Sequence, residues 1–413
     1  MAYGSLGFYL LDRHFSVNFN WGDAIAQTLA MFFTEDNAGL NPRTRFGASF
    51  ADSIGLLGLA TMGWALVLLL RPVLRPPGPS APEREKARSI VQFHGCVSLA
   101  AFCLLPDKTL FFSPSGESLI AFAAGGRGAV ALGDPIGPEA DRRRAISAFL
   151  EHCQGDDWEP AFYQVRPDDL DLDRSLGLRA LKNGEEGIVD LTTFSLKDKA
   201  AGSLRTPLNK LRTLGHQIEF HSPPLGEALI NELAPVSAEW LRSMEGSEKR
   251  FSLGWFDPTY LRATDLALVR NGEGQLSAFA NLLTGVRPGE VMVDLMRRRR
   301  QIEPGTMAAP FVHLFQHDQA AGYERFNLGL SALSGLGDDQ QTPRLAARTL
   351  DRLSKHLDRF YGFQGLHAYK SKFHPRWEPR YLSFPSYSAL PHVILALVRA
   401  DSGDRLLDYI RPS

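Results

Sequence analysis

Cysteine is scarce in this chain of 413 residues, and the three cysteines follow no recognisable pattern. Cys96, Cys103 and Cys153 form neither a C-x-x-C pair nor a spacing typical of zinc ligands. A disulfide-rich scaffold and a cysteine zinc site are therefore excluded, and the odd count indicates reduced thiols of a cytosolic region. His313 and His317 have the i, i+4 spacing of a helix, but no H-E-x-x-H pattern surrounds them, so no metal is expected.

Net charge is also nearly absent, because 45 Lys and Arg residues oppose 46 Asp and Glu residues, for a formal charge of −1. This balance excludes a global positive field that would attract nucleic acid. Any binding of an anion must come from local clusters of cations. With 44% hydrophobic and 10% aromatic residues, the chain has enough apolar material for two or three folded domains.

Long hydrophobic runs are absent apart from one, SIGLLGLATMGWALVLLL at residues 53–70. This run approaches the roughly 20 apolar residues that a helix needs to cross a bilayer. Arg71 and Arg75 follow it, which predicts a cytoplasmic location for the C-terminal side. We therefore expect a transmembrane helix, with a buried core helix as the alternative.

The remainder of the chain predicts a membrane-associated region followed by two α+β domains. The proline-rich segment Pro72–Pro82 is typical of a semi-rigid tether. We place the membrane-associated region at residues 1–82 and the two domains at residues 83–222 and 223–413. Strands are predicted within 96–132 and at 161–165, 266–269, 276–283, 291–296, 326–329 and 381–384, and helices at 138–153, 204–214, 225–241, 307–321 and 343–360.

The segment FQGLHAYKSKFHPRWEPRYL, residues 363–382, interleaves cations with aromatic side chains. In an extended chain, residues two apart share a face, so Lys370 and Lys372 are predicted to point the same way and to hold a phosphate. The alternative is an amphipathic strand with a solvated basic edge. The composition leaves open contact with nucleic acid, contact with phospholipid, or neither.

Several phrases of the sequence match the C-terminal catalytic domain of one bacterial family. The run Gly365–Leu382 contains the pattern G-L-x-x-Y-K-x-K-F-x-P-x-W-E-P-R-Y-L. Further matches are GDPIG at 133–137, GEE at 184–186, FSLGWFD at 251–257, DLMR at 294–297 and PGTM at 304–307. Over nearly all of residues 86–385 the chain thus resembles the aminoacyl-phosphatidylglycerol synthases, the lysyl- or alanyl-phosphatidylglycerol synthases of the multiple peptide resistance factor family.

The resemblance implies two tandem GNAT-like (acetyltransferase-type) domains and an aminoacyltransferase activity. The implied reaction moves an aminoacyl group from aminoacyl-tRNA to a hydroxyl of the phosphatidylglycerol headgroup, without a cofactor. Implied partners are aminoacyl-tRNA, phosphatidylglycerol and the lipid bilayer of the bacterial inner membrane. The implied role is in lipid metabolism and resistance to antimicrobial peptides.

The implied reaction needs a proton acceptor, donors beside the carbonyl oxygen and cations for two phosphates. The candidate catalytic residues are Asp294, Arg297, Lys370, Lys372, Glu378 and Arg380. Asp294 is expected to accept a proton, to hold the α-ammonium of the aminoacyl group, or to form a structural ion pair. Glu378 and Arg380 lie two apart, which favours an ion pair on one face of a strand.

A second set of residues is expected to contact the substrates. Its members are Phe251, Trp255, Asp257, Asn327, Trp377, Arg205, Lys210 and Arg212. The first five are candidates for the lipid or aminoacyl pocket, with core packing or a turn as the alternative. The three cations form one face of a predicted helix, suited to tRNA phosphates or simply solvated. Glu185 and Glu186 are predicted to lie in a turn.

Two other functions remain open from the sequence. The first is a tRNA-dependent transferase with another acceptor, such as diacylglycerol or a peptidoglycan precursor. The second is a non-catalytic lipid- or RNA-binding relative that has kept the fold. A donor of the acyl-CoA type is disfavoured, because the segment before Met307 lacks the glycine-rich loop that binds pyrophosphate.

Overall fold

The computed structural model describes residues 2–10, 14–15, 19–33, 42–70, 78–197, 202–244, 248–334 and 363–403. These residues divide into two units, Met1–Arg75 and Pro76–Ser413. The predicted helix at 343–360 lies outside the described residues.

The first unit contains the helices α1 (Ala2–Leu10), α2 (Trp21–Phe33) and α3 (Arg45–Leu70) around a core that includes Phe8, Phe15 and Phe50. The expected span at 53–70 lies within α3, but its side chains at 55, 58–60 and 62–70 are outside the described set. Among the described residues, no helix combines the length and the hydropathy needed to cross a membrane. The transmembrane helix stays a prediction.

The second unit is an α+β fold built on one mixed sheet of eleven strands. The strands are β1 (Thr109–Phe112), β2 (Leu119–Gly125), β3 (Gly128–Leu132), β4 (Glu159–Val165), β5 (Arg179–Asp190), β6 (Gln217–His221), β7 (Asp265–Arg270), β8 (Leu276–Leu283), β9 (Glu290–Arg298), β10 (Arg325–Ala332) and β11 (Arg376–Phe384). The helices are α4 (Ala81–His94), α5 (Glu139–Gly155), α6 (Leu170–Ser175), α7 (Gly202–Thr213), α8 (Glu227–Arg242), α9 (Pro258–Arg262), α10 (Ala308–Ala320), α11 (Phe363–Ser371) and α12 (Leu390–Ser402). The predicted α+β class is confirmed.

The strand order is β1-β2-β3-β4-β11-β5-β10-β9-β8-β7-β6, so the two central strands are exchanged between the halves of the sheet. β5 follows β4 in the chain but pairs with β10 and β11. β11 follows β10 but pairs with β4 and β5. Each half therefore completes its hydrogen bonding with a strand from the other half. The boundary at residues 222 and 223 stays a prediction.

Successive side chains of a strand point to opposite faces of the sheet, and both faces are buried against helices. In the first half, Ile120 and Phe122 of β2 pack with α5, whereas Leu119 and Ala121 pack with α12. In the second half, Ala267 of β7 packs with α10, and its neighbours in β7 pack with α8. The sheet is thus enclosed between helices, and polar side chains inside it need partners from the protein.

One apolar run differs from its prediction. The segment Ser98–Leu104 forms a 3₁₀ helix and not a strand. Its buried side chains Leu99 and Phe102 lie three residues apart, which matches the period of a 3₁₀ helix. A short run of continuous hydrophobic residues gives no alternation, so the sequence pattern did not distinguish the two structures.

The parallel strands β9 and β10 pair over only a short stretch. Their register joins residues 290–292 of β9 to residues 325–327 of β10. Beyond that stretch, the described pairing of β9 is with β8 and that of β10 is with β5. The two strands therefore part in the middle of the sheet, and the residues after Met292 and Asn327 border the opening between them.

We expect Gly128→Ala to destabilise the second unit by about 1–3 kcal/mol, because the added methyl group overpacks the core. A Cβ on Gly128 in β3 would lie 2.5 Å from the backbone oxygen of His392 and 2.7 Å from Cβ of Ala396, both in α12. Urea unfolding measures the change. The control Gly155→Ala, whose new Cβ has no described atom within 4 Å apart from the backbone of its own helix and its chain neighbours, is expected to change stability by less than about 0.5 kcal/mol. Equal effects of the two substitutions would contradict this packing of α12.

Candidate functional site

Asp294 in β9 is held by two neutral donors. The hydroxyl of Tyr260 donates to its Oδ2 at 2.6 Å, and the backbone N–H of Gly254 donates to its Oδ1 at 3.0 Å. A Cβ on Gly254 would lie 2.3 Å from Oδ2 of Asp294, so only glycine fits at this position. The segment 251–257 thus contacts Asp294 through Gly254. We call Asp294, Tyr260, Gly254 and Arg297 the Asp294 cluster.

The surroundings of Asp294 act on its protonation in opposite directions. Desolvation raises the pKa of the carboxyl group, whereas the bonds from Tyr260 and Gly254 and the charge of Arg297 lower it. Desolvation and the nearby carboxylate together raise the pKa of Tyr260 well above its usual value. The tyrosine therefore stays protonated and donates to the carboxylate.

Arg297 is the cation of this cluster. Its side chain is buried, bonds Oε1 of Glu248 through Nη2 at 2.6 Å and lies 3.9 Å from the ring centre of Trp240. Its Nε–H has no hydrogen-bond partner among the described residues. A buried guanidinium with a spare donor is suited to binding an oxygen that carries negative charge.

A second group of polar side chains lies at the centre of the sheet, on β5, β10 and β11. The buried side chains of Glu186 and Arg380 form an ion pair, and Arg380 also approaches Glu378 at 3.5 Å. Asn327 lies near Glu186, with its Nδ2 3.5 Å from Oε2, and its Oδ1 accepts from Gly329 N at 2.8 Å. We call Glu186, Arg380, Glu378 and Asn327, with Lys370, the Glu186 cluster. The prediction that Glu378 pairs with Arg380 on one face is confirmed.

The predicted turn for Glu185 and Glu186 is wrong, because both residues lie inside the long strand β5. Glu185 accepts from Lys182 at 2.7 Å. Charged residues are unusual in a buried strand, and here each carboxylate has a cationic partner. These two ion pairs put charged residues inside the strand, so the sequence did not show the hydrophobic pattern that predicts a strand.

The predicted extended conformation around Lys370 is also wrong. Lys370 lies in α11, where Tyr369 packs against Phe311 of the core, and Phe373, two residues beyond the end of the helix, contacts the same phenylalanine. The ammonium of Lys370 donates to the carbonyl oxygens of Gly329 and Leu330, each at 3.0 Å. Burial lowers the pKa of Lys370 to about 7, against the opposing effect of Glu186.

Lys370 lies against β10 beside the point where β10 parts from β9. Its ammonium binds carbonyls of β10 just beyond the last residue that pairs with β9. A Cβ on Gly329 would lie 3.7 Å from Nζ of Lys370 and 3.9 Å from the carbonyl oxygen of Val293, the residue before Asp294. The residues that border the opening thus include Asp294 of β9, and on the side of β10 the ammonium of Lys370 from α11.

The other predicted residues of the C-terminal segment and of the 251–257 phrase lie around these clusters. Lys372 has its ammonium 5.6 Å from the ring centre of Tyr369, and its described contacts join it to neither cluster. Trp377 stacks on His367 with ring centres 4.2 Å apart. Phe251 is buried in the core, and Trp255 packs against that core with Arg250 over its ring. Asp257 caps α9 by accepting from Tyr260 N at 2.9 Å.

The predicted basic helix exists as α7, but its cations have different surroundings. Arg205 donates to the carbonyl of Leu196, and Lys210 pairs with Glu303 at 2.9 Å. Arg205 and Arg212 line a cavity of about 380 Å³ between α7 and α10. The described contacts do not join these residues to either cluster.

Sequence reasoning missed Tyr260 and Asn281 as site residues. Tyr260 follows the 251–257 phrase by three residues, and that proximity was the only signal available. Asn281 is fully buried in the middle of β8, where an amide needs a partner. An asparagine inside an apolar strand, AFANLL, was the signal that could have identified it.

Comparison with known proteins decides the family. The family model described as "Phosphatidylglycerol lysyltransferase, C-terminal" matches residues 88–384. The chain belongs to this family. It is 33% identical to a phosphatidylglycerol lysyltransferase of Bacillus subtilis over 325 residues, which cover 79% of the chain and 38% of that protein. It is 32% identical over 306 residues to one from Staphylococcus aureus, covering 74% of the chain and 36% of that protein.

A solved structure of L-PGS from Bacillus licheniformis has a related fold. Its TM-score is 0.69 at 35% sequence identity, over 82% of this chain and 99% of the other. By contrast, the chain spans well under half the length of the two lysyltransferases from Bacillus subtilis and Staphylococcus aureus. The shared part is the family's C-terminal region, and it contains both clusters.

We expect Arg380→Met to destabilise the fold by about 3–5 kcal/mol, because it leaves the buried carboxylate of Glu186 without its cation. The double variant Arg380→Met with Glu186→Gln is expected to recover most of that loss, since no buried charge remains unpaired. Thermal or urea unfolding of the three proteins measures both effects. A double variant no more stable than Arg380→Met would show that the pair is not the source of the loss.

Proposed function

We propose that the protein transfers an aminoacyl group from aminoacyl-tRNA to the headgroup hydroxyl of phosphatidylglycerol. The observation that carries the proposal is the opening between β9 and β10, with Asp294 and Arg297 on one strand and Lys370 against the other. The names of the relatives support phosphatidylglycerol as the acceptor and lysine as the first amino acid to test.

The reaction exchanges one ester for another. The headgroup oxygen attacks the carbonyl carbon of the aminoacyl ester, a negatively charged tetrahedral intermediate forms, and the bond to the ribose oxygen then breaks. The proton of the headgroup hydroxyl passes to the ribose oxygen that leaves. Because one ester replaces another, the free energy of the reaction is close to zero. Orientation of the substrates and electrostatic stabilisation therefore provide the rate enhancement.

In this proposal Asp294 receives the proton of the attacking hydroxyl or holds the α-ammonium of the aminoacyl group. Its carboxylate has neutral donors at 2.6 and 3.0 Å, so no direct ion pair within the described residues neutralises it. Arg297, with its spare Nε–H, stabilises the negative charge that develops on the carbonyl oxygen.

The remaining candidates have supporting roles. Lys370 contributes positive charge to the opening, with a pKa near 7 that lets its charge respond to a bound phosphate. Lys372, the residue that follows α11, meets a phosphate at the surface in this proposal. Glu378, Arg380 and Asn327 hold the central strands that form the wall of the site. Trp255, Trp377, Phe251 and Asp257 shape its surroundings, and Arg205, Lys210 and Arg212 contact tRNA phosphates.

We also propose that residues 1–82 hold the protein at the inner membrane with the catalytic region in the cytoplasm. The number of large apolar side chains that are exposed on the first unit supports this location, because a membrane would cover them. Exposed examples are Tyr3, Leu6, Leu10, Trp21, Ile25, Leu29, Phe46 and Leu56. The repeated order of antiparallel strands, helix and parallel strand supports two tandem GNAT-like domains. We propose residues 83–222 and 223–413 as their bounds.

Replacement of Asp294 by asparagine tests the proposal in cells. We expect expression of the wild-type chain to produce a new aminoacyl ester of phosphatidylglycerol, visible by mass spectrometry of extracted lipids. Asp294→Asn is expected to lower its amount by about 100-fold, the contribution typical of one general acid–base residue.

The matched control is Asp171→Asn, whose carboxylate is 95% exposed and pairs only with Arg174 within the described part of the chain. It is expected to give the wild-type amount of the lipid. Lipid profiles that do not differ between wild type, Asp294→Asn and empty vector would contradict the proposed function. An aminoacyl ester on a lipid other than phosphatidylglycerol would contradict phosphatidylglycerol as the acceptor.

A further inference from the structure

The strand β9 contains a β-bulge at Asp294. In its pairing with β8, Val293 lies opposite Leu282 and Met296 lies opposite Ala280. Two residues of β9, Asp294 and Leu295, therefore face the single residue Asn281. A bulge leaves one residue out of the ladder and changes the face to which the following side chains point.

The packing confirms the change of face. Val293 and Met296 both pack in the core beneath α7 and α10, although they lie three positions apart, and an odd step puts two residues of a regular strand on opposite faces. Leu295 packs on the other face with the residues of α8, and Arg297 lies over Trp240 of α8. The bulge thus sets the positions of both Asp294 and Arg297.

Asn281 fills the gap that the bulge makes in the ladder. Its Oδ1 accepts from the backbone N–H of Leu295 at 2.7 Å, a bond that a regular strand would make to a backbone carbonyl. The side chain is fully buried, and its Nδ2 lies 3.5 Å from Oγ1 of Thr264. The amide also acts on Asp294 and Tyr260, lowering the pKa of each.

We propose that Asn281 is a positioning residue, whose side-chain carbonyl holds the bulge in β9 and thereby aims Asp294 and Arg297 at the opening beside β10. This inference rests on the proposed function, because Asp294 and Arg297 are its reacting groups. The residue itself acts through the backbone of Leu295 and through its neighbours. An aliphatic side chain of similar size leaves the Leu295 N–H without an acceptor.

Two variants of Asn281 separate positioning from simple stability. Asn281→Ala removes the acceptor of the Leu295 N–H. We expect at least a tenfold loss of lipid ester, together with faster hydrogen exchange confined to the peptide that contains residues 290–298. Asn281→Asp keeps an oxygen acceptor, so exchange in that peptide is expected to stay slow.

The aspartate variant has a second, independent readout. A carboxylate next to Asp294 disfavours the charged form of Asp294 and raises its pKa. Because the proposed reaction needs Asp294 as a carboxylate, activity should then begin at a higher pH than in the wild type. The acid limb of the pH profile is expected to move upward, a shift that a purely structural role does not produce.

Thr264→Val provides the matched control. It removes the Thr264 hydroxyl, which lies 3.5 Å from Nδ2 of Asn281, but leaves the bond to Leu295 in place. Local exchange in the 290–298 peptide and lipid ester are both expected to stay at the wild-type level. Faster exchange with this variant equal to that of Asn281→Ala would overturn the role of the Leu295 bond.

The outcomes distinguish this inference from the proposed function. Faster exchange confined to 290–298 in Asn281→Ala, with no lipid ester from any variant or from the wild type, would overturn the proposed function and with it the catalytic part of the inference. Wild-type ester with full activity and an unchanged pH profile in both Asn281 variants would overturn the inference alone. Exchange that rises across the whole second unit would also overturn it, because Asn281 would then be a general stability residue. If Asn281→Ala does not fold, the pH profile of Asn281→Asp decides.

Discussion

The pairing between β9 and β10 ends after residues 292 and 327, and the geometry of the candidate site depends on that limit. An eleven-stranded sheet that paired without interruption would fill its centre with backbone hydrogen bonds. Here β10 continues along β5, whereas β9 continues along β8. The exchange of β5 and β11 between the halves gives β10 a partner on one side, and Lys370 binds the carbonyls of Gly329 and Leu330 where β10 has parted from β9. An opening within a sheet is therefore possible at little cost in unpaired groups.

Polar side chains form hydrogen bonds with the backbone groups around this opening that do not pair with a neighbouring strand. Lys370 binds two carbonyls of β10, Asn281 binds the free N–H of β9, and Asn327 binds the N–H of Gly329. Each of these side chains is buried, and each replaces a ladder bond that a regular strand would make. The same residues that stabilise the parted strands thus border the site. Stability and the proposed chemistry depend on the same contacts. A loss of activity in a variant of these residues is therefore informative only together with a separate measurement of local stability.

The sequence predicted the strands of the second half closely, since β8 occupies the predicted residues 276–283 and β9 and β10 extend their predictions by a few residues. Hydrophobic alternation and flanking turns carry that information locally. The exchange of β5 and β11 was not predictable, because strand pairing over long separations leaves no local pattern. Lys370 was placed in a strand because its aromatic neighbours fit either period, and Glu186 was placed in a turn because its buried partner, Arg380, lies far away in sequence. Family phrases identified Asp294 and Arg297, while the bulge and Tyr260 that position them required the structure.

The most direct measurement of the central claim uses the purified chain, tRNA charged with a labelled amino acid, and lipid vesicles of defined composition. We expect the label to move from tRNA into the lipid fraction when the vesicles contain phosphatidylglycerol. Vesicles of phosphatidylethanolamine, or with diacylglycerol in place of phosphatidylglycerol, should take up none. Label that stays on intact tRNA in the presence of phosphatidylglycerol, or that enters all vesicles equally, would contradict the account.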